Sequence, residues 1–218
     1  MNKSVRALLI LAIALFPLTI LAKAQTQPIG GTLAWRAQIA KDRGLKSITM
    51  GGSHENDLQM NLREQLHNSL VIDGEVESST VDASDGASIY SWYRVKVIAR
   101  GPTPTWVVQG HEGRIPASLK SVGEGEILVR LDCGSVVVDG ITITEVREPS
   151  LTLGKRYLLF LEPYEISTRP TELFVSTLQT EPTELDRDGS IVHARKSSFT
   201  DKLANFTSIK DVLDYGKQ

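Results

Sequence analysis

Cys133 is the only cysteine in the chain, and it is the one side chain able to act as a strong nucleophile without help from a sequence motif. A thiol nucleophile needs a histidine base within hydrogen-bond reach, and His111 and His193 are the candidates. The competing reading is a small buried hydrophobe at a strand end, which is where unpaired cysteines are most often found and which the residue type favours. No G-x-S-x-G elbow is present, so serine hydrolysis has less support, and Ser135 after Gly134 reads as turn chemistry. The four histidines, at 54, 67, 111 and 193, lack the spacing that sets two metal ligands on one helix face. Asp186, Asp188 and Gly189 begin like a calcium loop, but the later oxygen ligands are missing and an Asp-Gly turn is favoured. No metal site and no cofactor are expected. Asp73, Glu75 and Glu77 alternate along one segment and resemble an acid-base cluster. If Asp73 faces Lys96 and Glu75 faces Arg94 on a neighbouring strand, they are instead cross-strand ion pairs on a solvated face.

Those residues sit in period-two segments. From Ser69 onward Leu70, Ile72, Gly74 and Val76 point one way and Val71, Asp73, Glu75 and Glu77 the other, as a half-buried strand requires. Ile89 to Arg100 repeats the pattern, with Tyr93, Val95 and Val97 inward and Trp92, Arg94, Lys96 and Ile98 outward. An odd index sum of 169 between these two strands opposes Ile72 with Val97 and Val76 with Tyr93. Glu126 to Asp132 alternates too. Val136 to Thr144 is a hairpin about Asp139-Gly140, a pair suited to a type I′ turn, which opposes Val138 with Ile141 and Val136 with Ile143. Tyr157 to Leu161 is continuously apolar and reads as a strand covered on both faces. Leu45 to Met50, Leu173 to Leu178 and Ser190 to Ala194 are further strand candidates.

Helical signals flank this region. Thr32 caps a segment ending at Gly44, Leu58, Leu62 and Leu66 form a stripe in a second segment opening at Ser53, and Ser208 caps Ile209 to Tyr215. Strands joined by turns rather than helices predict a mainly β fold, an antiparallel barrel or sandwich.

The ordered segments Leu70 to Val76, Trp92 to Gly101, Ile127 to Gly134, Leu151 to Pro163 and Leu185 to Val192 resemble a group of exported bacterial proteins with a small OB-like barrel. That barrel is similar in topology to the netrin-like module of the tissue inhibitors of metalloproteinases. The resemblance runs from Leu66 to the end of the chain and implies a small antiparallel OB-like barrel of six to eight strands with short N-terminal and C-terminal helices. It carries over no catalytic residue. The inhibitors chelate the protease zinc through an N-terminal cysteine, which Gln25 cannot do. The chain departs from the group at Asp132-Cys133 and in a long insert from Gly101 to Gly125.

Residues 1–24 have the form of an export signal: Lys3 and Arg6, an apolar run from Ala7 to Ala22, and an A-x-A site ahead of Gln25. The run is interrupted by Pro17 and falls short of the roughly 20 residues needed to span a bilayer, so no stable membrane anchor is expected after cleavage. Exported, periplasmic or extracellular placement follows. Cleavage removes three basic residues, Lys3, Arg6 and Lys23, and no acid, leaving 21 basic against 26 acidic. A chain with that balance is not suited to nucleic acid. The expected organisation is a signal peptide (1–24), a helical N-terminal segment (25–68) and a barrel domain (69–218) carrying the 101–125 insert.

The insert holds Pro102, Pro104, Pro116 and five glycines, and at about 25 residues it exceeds the usual length of a structureless loop. Its apolar centre at Trp106 makes it the leading candidate for a binding element, with Trp106 as anchor and His111 and Arg114 as polar contacts. Tyr90 and Trp92 lie on an outward face, either as an exposed aromatic patch or as support for that insert. The function expected from these features is a non-enzymatic binding module for a protein or extracellular polymer. An exported hydrolase using Cys133 and a structural envelope protein docking through edge strands are the alternatives.

Overall fold

The structure is a computed structural model that describes residues 31–51, 62–102, 122–146, 150–164, 173–175, 182–192, 203 and 205–215. It is mainly β, with two sheets. The export signal, Trp106, His111, Arg114 and His193 lie outside the described residues.

Helix α1 (Leu33–Asp42) begins where the Thr32 side chain accepts a hydrogen bond from the Trp35 amide at 3.2 Å. It stops at Gly44, whose φ of +68° is the left-handed geometry that ends many helices. Its buried stripe is Leu33, Ala37 and Ala40. The stripe rests on a three-stranded sheet made of β1 (Ser47–Gly51), β5 (Gly134–Val138) and β6 (Ile141–Val146), in the order β1, β6, β5. Strand β1 runs parallel to β6. The β5–β6 hairpin has the predicted register, Val138 opposite Ile141 and Val136 opposite Ile143. Both turn residues, Asp139 at φ 50° and Gly140 at φ 80°, take the positive φ that a type I′ turn demands. Arg36 of α1 is tied to Glu145 of β6 at 2.7 Å, and the other Glu145 oxygen accepts from the Ile89 amide.

The larger sheet contains β2 (Leu70–Asp82), β3 (Tyr90–Arg100), β4 (Glu126–Leu131), β7 (Arg156–Tyr164), β8 (Leu173–Val175) and β9 (Thr183–Leu185). Its order is β2, β3, β4, β8, β7, β9, and β7 also pairs with β2. All these pairings are antiparallel except β4 with β8. Helix α2 (Leu62–Asn68) and helix α3 (Ile209–Tyr215) cover one face of β7.

The β2–β3 register is not the expected one: Gly74–Val97, Glu75–Lys96 and Val76–Val95 keep an odd index sum, 171 instead of 169, but Ile72 opposes Arg100, Asp73 opposes Ala99, and from Ser78–Arg94 to Asp82–Tyr90 the sum is the even 172, which overturns the expected pairing. Two bulges separate the stretches of different sum. Ile98 is the extra residue in β3 and Glu77 the extra residue in β2, and both are exposed. Ile72, Val76, Tyr93 and Val95 all enter the core as predicted, although Ile72 lies opposite Arg100 and Tyr93 opposite Ser79 rather than opposite apolar partners. Gly74 sits where the strands come closest, and a Cβ there would overlap Val95 Cγ1.

Strand β7 separates two apolar clusters. Tyr157, Leu159 and Leu161 join Leu70, Ile72, Val95, Ile127, Val129 and Cys133 on one side. Leu158 and Phe160 face Leu66, Leu203, Ile209 and Val212 on the other. This is why the strand is apolar at every position. The expected helix from Ser53 is described only from Leu62. Of the segment Ser190 to Ala194, the described residues 190–192 supply isolated bridges at Ser190 and Ile191.

Candidate binding face on strands β3 and β4

Tyr90 and Trp92 project from β3 on the side away from the main core, and β4 lies alongside with Trp92 directly opposite Arg130. Trp92 is 1% exposed, which corrects the expectation of an exposed aromatic patch. It packs with Leu128, Tyr90 and Val122, a residue near the end of the insert, so the alternative reading of Trp92 as support at the insert's base fits its contacts. The guanidinium of Arg130 lies 4.7 Å from the Tyr90 ring centroid and 5.8 Å from that of Trp92, placing one cation over two aromatic faces. Neither Arg130 nor Asp85, which joins this cluster, was anticipated from the sequence. The signal that could have found Arg130 was the alternation of Glu126, Leu128 and Arg130 along β4, which sets it beside the aromatic pair.

Asp85 sits in the β2–β3 connection. Burial pushes its pKa up, but amide hydrogen bonds from Ser88 and Ala87, both 2.9 Å, outweigh it together with the Tyr90 hydroxyl and the charge of Arg130. The carboxyl is held below its ordinary value. Farther along the face Arg94 meets Glu126 at 3.6 Å.

The three acids of β2 do not form a cluster, and their expected ion pairs are replaced. Asp73 is 1% exposed rather than solvated. Arg156 grips it with two hydrogen bonds, Nε to Oδ1 at 2.6 Å and Nη2 to Oδ2 at 2.5 Å, and donates Nη1 to the Arg187 carbonyl at 2.7 Å. That carbonyl belongs to the Asp186 to Gly189 turn, where the Ser190 amide and hydroxyl donate to Asp188, as an Asp-Gly turn predicts. Among the described residues no group of three ligating side chains could hold a metal ion.

Cys133 is buried inside the main core cluster. Burial, with the Cys133 thiol beside it, pushes the Tyr93 hydroxyl up to about 12, so that group stays protonated. The Ser91 hydroxyl is spent on the Cys133 carbonyl at 2.8 Å. His67, the histidine among the described residues, lies on α2, across β7 from this cluster. A thiol so placed should not react with an aromatic disulfide reagent in the folded protein and should titrate fully in denaturant. Rapid stoichiometric reaction under native conditions would show an accessible thiol instead.

No helix among the described residues is long and apolar enough to cross a membrane. Comparison with family models, with curated proteins and with solved structures finds no match for this chain.

Proposed function

We propose that this chain is an exported, non-enzymatic binding module, cleaved before Gln25, whose larger sheet is an OB-like barrel. The pairing circuit from β2 through β3, β4, β8 and β7 back to β2 supports the barrel reading, and barrels of that kind present an outer strand face to ligands. The observation that carries the functional reading is the Arg130 guanidinium stacked over Tyr90 and Trp92 at the base of the 101–125 insert. Solvent-facing cations do not need two aromatic faces to hold them, and a fixed cation-aromatic cluster beside a long insert is the composition of an interaction surface.

In this reading Trp106 is the anchor of the insert, with His111 and Arg114 beside it. Once a partner is captured on the immobilised mature chain, Trp106→Ala should weaken its binding by about 2 kcal/mol or more, roughly 30-fold, with little change in the unfolding midpoint. A variant that unfolds much more easily yet binds normally per folded molecule would make Trp106 a core residue.

The structural envelope alternative draws on strand β5. It is an outer strand of the small sheet, carries no charged residue, and leaves Val137 70% exposed. Such an edge is a template for strand addition. A partner footprint on β5 would favour it.

A further inference from the structure

The small sheet ends in strand β5, and that edge is undefended. Val138 and Ile141 flank a two-residue turn and so exchange hydrogen bonds, and bonded and unbonded pairs alternate from there along the hairpin. Val136 and Val138 therefore spend their N–H and C=O groups on β6, while those of Ser135 and Val137 point away from it. Among the described residues no strand pairs with that side of β5 and no backbone hydrogen bond reaches it. Edge strands are normally blunted by lysine, proline or a bulge. Strand β5 reads Gly-Ser-Val-Val-Val, keeps an unbroken register with β6, and leaves Val137 70% exposed. The far half of β2, which pairs with β3 alone, is the contrasting case: a bulge at Glu77 interrupts it and Asp82 ends it.

Charge decides what fits such an edge. The mature chain carries 26 acidic against 21 basic residues, so two copies repel over most of their surface, and an uncharged edge is where they approach without that cost. A foreign strand finds no charge on β5 to select it, whereas two copies of β5 related by a two-fold axis complement each other. We propose that β5 pairs antiparallel with β5 of a second copy, joining two three-stranded sheets into one. Side chains keep to their own faces only where residues of the same parity oppose. Setting Val137 opposite itself brings the most exposed large apolar residue among those described against its own counterpart, and its N–H and C=O bond reciprocally. Ser135 then faces Asp139 of the second copy, hydroxyl against carboxylate, and no like charges meet. One strand pair is smaller than a standard interface, so the dimer is weak and concentration-dependent. It leaves the β3–β4 face free, so it stands or falls separately from the partner proposed for that face.

Sedimentation velocity of the mature chain over a concentration series should show a monomer passing to a dimer and no further. Val137→Lys sets two like charges against each other and should weaken that dimer about tenfold or more, with the unfolding midpoint unchanged because the side chain lies in solvent. If that variant does not fold, Val137→Cys decides. Residues of a bonded pair lie about 5.5 Å apart at Cα, inside the range a disulfide spans, so mild oxidation should give a covalent dimer. Ser135→Cys lies away from its own counterpart and should give none, and the wild-type chain should give none because Cys133 is buried. A chain that stays monomeric at every concentration overturns the proposal and leaves the edge to a strand of another protein. A dimer that Val137→Lys leaves intact also overturns it, as does growth beyond the dimer or cross-linking at Ser135 as readily as at Val137.

Discussion

Arg156→Ala is expected to destabilise the fold by about 3–5 kcal/mol, a large share of the 5–15 kcal/mol that typically holds a domain together. The reason lies in what the substitution leaves behind. Asp73 stays 1% exposed on β2, and its two strongest hydrogen bonds disappear together. The Arg187 carbonyl loses its donor in the same step, which loosens the Asp186 to Gly189 turn against the sheet. Gly189 packs against the guanidinium so closely that a Cβ there would lie 3.0 Å from Nη2, so little else can fill the space. Chemical denaturation of the mature variant measures the effect. A loss below about 1 kcal/mol would mean that Asp73 finds water or another donor. The double variant Asp73→Leu, Arg156→Leu removes both charges and should recover much of the loss, because a buried pair is far less costly to replace than to break.

Phe160→Ala should cost a similar amount, about 3–5 kcal/mol. Its ring is 3% exposed and lies on the helix-facing side of β7, in the cluster that includes Leu66 of α2 and Ile209 and Val212 of α3. Removing it opens a cavity between elements distant in sequence, where the backbone on one side is pinned by pairing to β2 and cannot collapse inward. The denaturant midpoint should fall with little change in slope, since the unfolded state exposes nearly the same surface. A steeply reduced slope would instead mean that α2 and α3 detach before the sheet unfolds. A loss under about 1 kcal/mol would place the helices as loosely held appendages.

Local pattern made much of this fold legible. The Asp139-Gly140 turn leaves one register open to the flanking valines and isoleucines, and that register is the one found. The unbroken apolar run of β7 follows from its having a cluster on each side. What local pattern could not carry was anything set by bulges or by distant partners. Ile98 and Glu77 each add a residue to one strand, and no feature of either side chain announces it. The parallel pairings of β1 with β6 and β4 with β8 join segments far apart in the chain and leave no turn signal. Strand β9, three residues long, is too short for a period-two pattern to register. The same holds at the candidate site. Tyr90 and Trp92 were visible as an alternating pair, but Asp73 was assigned to a solvated face because Arg156, 83 positions away, is what covers it. Arg130 was hidden for the same reason, since its meaning depends on β4 pairing with β3 at Trp92.

Amide hydrogen exchange of the mature chain with and without its captured partner tests the binding face most directly. The account predicts slowed exchange concentrated in β3, in β4 and in the 101–125 insert, with the small sheet of β1, β5 and β6 unchanged. Protection confined to β5 and its neighbours, or none on β3 and β4 at saturating partner, would contradict it.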